Sequence, residues 1–215
     1  MIDAVAAGWL GFLLGVRHAT DADHVVAVTT IVAREPSLRR AARVGGLWGV
    51  GHSLTLLAVG GALVTFRLAV PPRLGLALEL AVAVMLVLLG VRNLRQGRDD
   101  DRRPDREARR PLLVGSVHGL AGSAAVALVA LAAIPSPTWA VVYLAVFGAG
   151  TVAGMMLVTA LVAAPAVLAG GRVLRARRGI RLTAGALSLA FGLALAHDVV
   201  VDGGLFAAVP RWTPH

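Results

Sequence analysis

Cysteine and lysine are both missing from this 215-residue chain, aromatic residues make up only 5% of it and charged residues only 15%. Without cysteine there is no disulfide framework, no thiolate metal site and no thiol nucleophile, so soft-metal chemistry must rest on histidine, methionine or carboxylate. No Gly-x-x-x-x-Gly-Lys-Ser/Thr loop is present, which removes nucleotide hydrolysis through a P-loop. Neither His-Glu-x-x-His nor a comparable catalytic pattern occurs, and the chain reads as a non-enzyme. The scarce charges are also bunched, whereas a soluble domain of this size would spread them.

What fills the chain instead is apolar residues, 57% of the total. Crossing a hydrocarbon core of about 30 Å takes roughly 20 helical residues. Stretches of that kind run over 4–33, 44–66, 74–92, 112–134, 138–168 and 182–201. The spacing therefore predicts an all-α, polytopic membrane protein of about six transmembrane helices, with little chain left for a water-soluble domain. The first stretch lacks a basic leader, carries Asp3 and passes Arg17 without a small-residue cleavage site, so it is expected to be a mature helix and not a signal peptide.

All the basic charge is arginine, and its placement orients the chain. Seventeen arginines fall in three alternate loops (Arg34 to Arg43, Arg92 to Arg110, Arg172 to Arg181), against Arg67, Arg73 and Arg211 on the other side. The positive-inside rule then puts the Arg-rich loops in the cytoplasm and both termini outside the cell (inner) membrane. Clustered arginines can also bind nucleic acid, but no aromatics are interleaved here and Arg98 to Arg110 holds five acids as well. The expected partner of these loops is the anionic headgroup surface of the bilayer, not nucleic acid.

Offset by about 100 residues, the halves of the chain fall into partial register. Gly15-Val-Arg-His18 faces Gly115-Ser-Val-His118, Trp48-Gly-Val-Gly-His52 faces Phe147-Gly-Ala-Gly-Thr151, and Leu78-Glu-Leu-Ala81 faces Leu187-Ser-Leu-Ala190. Three helices per block is an odd number, so the second block would enter the membrane upside down. The expected organisation is two inverted three-helix repeats, 1–94 and 112–203, joined by an Arg-rich cytoplasmic loop at 95–111 and followed by an external tail at 204–215.

Ionisable groups inside a membrane cost about 2.5–3.5 kcal/mol each even on the lenient insertion scale, so they usually mark a pathway. Here they cluster as Arg17-His18-Ala-Thr-Asp21-Ala-Asp23-His24 in the first span, Gly51-His52-Ser53 in the second and His118-Gly-Leu-Ala-Gly-Ser123 opening the fourth. On one continuous helix His18, Asp21 and His24 would form a stripe. Asp23 would point elsewhere, to orient an imidazole, to pair with Arg17, or to join the stripe if the helix is broken at the motif. Imidazoles with one or two carboxylates and no sulfur suit nickel, cobalt or zinc better than calcium, magnesium or copper(I). Glu79 in the third span is a relay, a gate or a snorkelling acid, His197 and Asp198 sit near the external end of the sixth span, and Met155-Met156 reads as packing.

The run His18-Ala-Thr-Asp-Ala-Asp23-His24-Val25 resembles the signature of the nickel/cobalt transporter (NiCoT) superfamily, and Gly51-His52-Ser53 its second motif. The six spans and the His118 to Ser123 element are similar to the short UreH-like branch, associated with urease and other nickel enzymes. The Gly-Phe-Asp-Thr-Ala-Thr-Glu type motif of the longer members is missing, as is the histidine-rich loop common in efflux relatives. The resemblance implies a metal site of His18, Asp21, Asp23, His24 and His52, which His118 joins by motif and repeat position. It implies transport of Ni2+ or Co2+ by a secondary or potential-driven permease, uptake more than efflux, with no cofactor beyond the carried metal. A homo-oligomer or a functional link to a nickel enzyme such as urease fits it. The competing expectations are an intramembrane His/Asp metalloenzyme and a non-transporting membrane subunit.

Overall fold

Proline and polar caps set the helix boundaries of the chain, seen in a computed structural model that describes residues 4–32, 35, 37–95, 109–134, 136–168 and 174–212. In order, the helices are α1 (Ala4–His18), α2 (Ala22–Val32), α3 (Leu38–Thr55), α4 (Gly61–Phe66), α5 (Pro72–Arg95), α6 (Arg109–Ala133), α7 (Pro137–Leu168) and α8 (Leu174–His197). No strand occurs among the described residues. Ser37 caps α3 by accepting the Arg40 N–H at 3.3 Å. Pro72 and Pro137 open α5 and α7, where a missing N–H costs nothing. A π-helical segment, Leu56–Gly60, joins α3 to α4, and α4 stops at Arg67, whose left-handed φ of 51° ends the helix. A second π segment, Asp198–Asp202, extends α8.

Among the described residues four helices are long and apolar enough to cross a membrane: Leu38–Phe66, Pro72–Arg95, Pro137–Pro165 and Arg181–Asp202. The expected fourth span is occupied by α6, a continuous 25-residue helix. The expected first span, 4–33, is not one helix. It breaks at Ala19 to Asp21 into α1 and the 11-residue α2, and this break reshapes the site. Arg34, the loop at 96–108, Arg172 and the last three residues lie outside the described residues, as do the side chains of Ser123, Arg175, Arg177 and Arg178.

Small residues let the helix backbones touch, the usual means of association where lipid is as apolar as the side chains. Along α7, Gly11 meets the Tyr143 ring, Gly15 the Phe147 carbonyl, and Gly154 the backbone of Val16, so α1 and α7 run parallel. Gly49 meets Val152 while Gly148 meets Ser53, so α3 runs antiparallel to α7; Gly115 meets Trp48 and Gly119 meets His52, so α3 and α6 run parallel. It follows that α1 and α6, the opening helices of the two halves, run in opposite directions. Helices α5 and α8 pair antiparallel through Gly90 against Gly185 and Gly192 against Ala83.

Apolar packing and a few polar ties hold these contacts in register. Ala19, Val28, Val32, Ala41, Trp48, Met155 and Ala163 form one core among α2, α3, α7 and the turn after α1. Ala27, Val82 and Leu86 form another that locks α2 to α5, with Ala121 and Phe191 against it. The Ser53 hydroxyl donates to the Gly148 carbonyl at 2.9 Å, and that of Ser188 to the Leu86 carbonyl at 2.8 Å. Such interhelical bonds contribute about 0.6–1.7 kcal/mol each. Their common effect is to fix α3 and α6 beside the broken end of α1.

Candidate metal centre

The break after His18 is written in local chemistry. The Thr20 hydroxyl donates to the Arg17 carbonyl at 2.6 Å, the Asp21 N–H turns back to the His18 carbonyl, and the Asp21 carbonyl then accepts the Val25 N–H to begin α2. Asp23 sits in the first turn of α2, where unpaired N–H groups and the helix dipole favour a carboxylate, and its Oδ1 accepts the His24 backbone N–H at 2.9 Å. The two acids therefore serve the helix start as well as the histidines. The continuous stripe of His18, Asp21 and His24 expected from the sequence is replaced by a turn that folds His24 back against His18.

Four imidazoles converge there from four elements. Ring centroids lie 4.5 Å apart for His18 and His24, 4.4 Å for His24 and His118, 5.1 Å for His24 and His52, and 5.4 Å for His18 and His52. His24 is the hub. It is buried, as are His52 on α3 and His118 on α6, while His18 retains slight exposure. Ligand atoms of His18, His24 and His52 all lie within 4.8 Å of one another, and so do those of Asp23, His24 and His118. A transition metal with bonds of about 2.0–2.1 Å to nitrogen would draw such atoms inward by an ångström or so.

Hydrogen bonds decide which nitrogens are free. The Nδ1–H of His18 donates to Asp21 Oδ2 at 2.7 Å, the Nδ1–H of His24 to Asp23 Oδ1 at 2.8 Å, and the Nε2–H of His118 to Asp23 Oδ2 at 2.8 Å. The opposite nitrogens, His18 Nε2, His24 Nε2 and His118 Nδ1, are buried without a partner among the described residues, as are both nitrogens of His52. Each unpaired buried acceptor costs about 1–3 kcal/mol unless something fills the space. An imidazole tied to a carboxylate on one side and bare on the other is the arrangement in which histidine binds metal.

All six residues singled out in the sequence thus meet, though unequally. Asp21 is exposed, and among the described residues its carboxylate bonds to His18 alone. Asp23 faces His24 and His118, and no ion pair joins it to Arg17 among the described residues. Sequence reasoning missed Trp48 as part of the site: its buried indole stacks on His52 at 5.4 Å and 9°, lies 5.1 Å from His24 and 5.2 Å from His118, and leaves Nε1 unpartnered. Phe147 packs likewise on His18 at 5.3 Å. The available signal was helical spacing, because Trp48 stands one turn before His52.

Other candidates lie elsewhere. Glu79 accepts a 2.7 Å hydrogen bond from the Trp212 indole in the tail, which also covers Gly75. His197 and Asp198 are exposed and have Asp202 beside them. Met155 is buried in the core and Met156 is exposed.

Helices of membrane-crossing length that enclose a cluster of histidines bearing free nitrogens define the class: a polytopic α-helical membrane protein with a buried histidine cluster tied to two carboxylates. Urease accessory protein UreH of Bacillus sp. (strain TB-90) is 30% identical over 221 residues, covering 95% of this chain and 96% of that protein. The chain belongs to the UreH family, the short branch of the nickel/cobalt transporter superfamily. No protein-family model matches the chain, and no solved structure does.

Proposed function

We propose that this protein carries a divalent transition metal, Ni2+ or Co2+, across the cell membrane through the centre built by His18, Asp21, Asp23, His24, His52 and His118. The observation that carries the reading is the convergence of four imidazoles whose free nitrogens are buried and unpartnered inside an apolar bundle. Nitrogen donors of this number suit nickel and cobalt, and a site without sulfur does not favour copper(I). The name of the relative from Bacillus, a urease accessory protein, supports nickel as the cargo and a nickel enzyme such as urease as its destination.

Direction and energy follow from charge. With the Arg-rich loops cytoplasmic and both termini outside, an interior-negative potential favours inward movement of a divalent cation by about 4.6 kcal/mol per 100 mV, twice the single-charge figure. Uptake therefore needs no nucleotide hydrolysis.

Paired close approaches support the inverted-repeat plan, in which the two halves rock about a fixed site. Gly15 against the Phe147 carbonyl and Thr151 N corresponds to Gly115 against the Trp48 carbonyl and His52 N, and Gly51 against Leu112 corresponds to Gly150 against Phe12. Each pair is what exchanging the halves would produce. In this plan external metal loses water to the imidazoles and is released to the cytoplasm as the halves move.

The test is flux of radioactive nickel and cobalt into liposomes containing the purified protein. Saturable uptake driven by an inside-negative potential and lost in His24→Ala is the expected result. Protein that binds metal but gives no flux at any potential would overturn transport and leave a binding or catalytic role.

A further inference from the structure

The two carboxylates of the centre are ligand candidates by type, yet both oxygens of Asp23 are already engaged. Asp23 Oδ1 accepts two N–H groups of His24, one from the backbone and one from the ring, and Oδ2 accepts the ring N–H of His118. A carboxylate offers only acceptors to these nitrogens, so both imidazoles must carry their protons on the side facing Asp23. That leaves a lone pair on His24 Nε2 and another on His118 Nδ1, and both of these nitrogens are buried without a partner among the described residues. One side chain thereby fixes the tautomers of two histidines separated by 94 positions in the chain, one on α2 and one on α6.

Resting on the reading of this centre as a metal site, we propose that Asp23 is a positioning residue that does not ligate the metal, and that it presents His24 and His118 to the cargo as neutral imidazoles of opposite tautomer. The donor set is then all nitrogen, drawn from His18, His24, His52 and His118. Asp21 repeats the device for His18 alone, at an exposed position where water competes for its oxygens. His52 has no such tether and can offer either nitrogen. The competing arrangement places the metal directly among Asp23, His24 and His118, whose ligand atoms also lie within 4.8 Å of one another. It would have to break the Asp23 to His118 hydrogen bond and strip Asp23 of its present partners.

Asp23→Asn separates the two. The amide oxygen of asparagine can still accept from His24, but its NH2 must donate to His118 Nε2. That nitrogen then becomes an acceptor, and the ring proton moves to Nδ1, where the lone pair had been. The variant should lose one imidazole, that of His118, and keep His24.

Two measurements on detergent-purified, full-length protein test this. Nitrogen-15 NMR of the labelled histidines in the metal-free protein should show His118 protonated at Nε2 in the wild type and at Nδ1 in Asp23→Asn, with His24 protonated at Nδ1 in both. Cobalt titration should then show Asp23→Asn and His118→Ala each weakened about 10- to 100-fold, with superimposable Co2+ absorption bands, and the double variant no weaker than either single one within about twofold. An unchanged His118 tautomer, a Co2+ band in Asp23→Asn distinct from that of His118→Ala, or additive losses in the double variant would overturn the positioning role and make Asp23 a ligand. A wild type that binds no cobalt or nickel would instead overturn the metal-site reading, and the tautomer spectra would still test what Asp23 does to the two rings.

Discussion

The first half of the molecule and the second share two matching pairs of glycine contacts but not the same chemistry. Gly15 and Gly115 seat their helices against Phe147 and Trp48 in matching ways, yet the position across from His52 is Thr151 and the partner of Phe147 is the indole-bearing Trp48. The first half breaks its opening helix to bring His24 beside His18, whereas α6 runs unbroken from Arg109 to Ala133 and contributes, among its described side chains, His118. The two halves divide the labour. Glycine contacts are kept in both halves because they hold the bundle together. Histidine and carboxylate side chains are concentrated where a break in the helix supplies a carboxylate-rich turn, and α6 adds the imidazole of His118.

The sharpest way to break this comparison is to remove the hub. His24→Ala should weaken nickel and cobalt binding by at least about 100-fold, on the order of 3 kcal/mol, with helicity by circular dichroism unchanged. Retained affinity would remove the imidazole centre as the metal site. Next come the shared contacts: Gly15→Ala and Gly115→Ala both force a methyl group onto a facing carbonyl oxygen and should destabilise by a similar amount, about 1–3 kcal/mol each. Gly8→Ala, with nothing within 4 Å, serves as a neutral control. Thermal unfolding in detergent reads all three, and a large effect in one half only would contradict the equivalence of the two seats.

A smaller effect is expected of acid. Ligation needs neutral imidazole, and protons compete with the metal for the same ring nitrogens, so affinity falls as the pH is lowered. Cobalt binding by calorimetry should be weaker at about pH 4 than at pH 7.5; equal affinity at the two would contradict a centre that binds through basic ring nitrogens. The smallest effect belongs to Thr151→Ala. The hydroxyl of Thr151 donates to the Phe147 carbonyl of its own helix, so the variant should cost about 1 kcal/mol or less and leave metal affinity within twofold. A tenfold loss would show that the second half contributes more than His118.

The sequence made the all-helical, membrane-crossing character and the meeting of the six site residues legible, because charges and imidazoles in apolar runs are too costly to be incidental. It was less informative about how they meet. Thr20, Asp21 and Asp23 form a helix-start pattern, but the apolar run from 4 to 33 around them reads as one span, and hydropathy averages over a three-residue turn. Trp48 escaped notice because an indole in an apolar helix looks like packing until its neighbours are known. The bond from Trp212 to Glu79 joins residues 133 positions apart and leaves no local trace in the chain. Which nitrogen each ring exposes depends on hydrogen bonds across helices, and no spacing rule encodes that.

X-ray absorption at the nickel edge, on protein loaded with one equivalent of Ni2+, reads the donor atoms themselves. A shell of nitrogen at about 2.1 Å with the outer-shell scattering of three or four imidazole rings, reduced by one ring in His52→Ala, is the expected result. A shell dominated by oxygen, with no imidazole scattering and no change in that variant, would contradict the account.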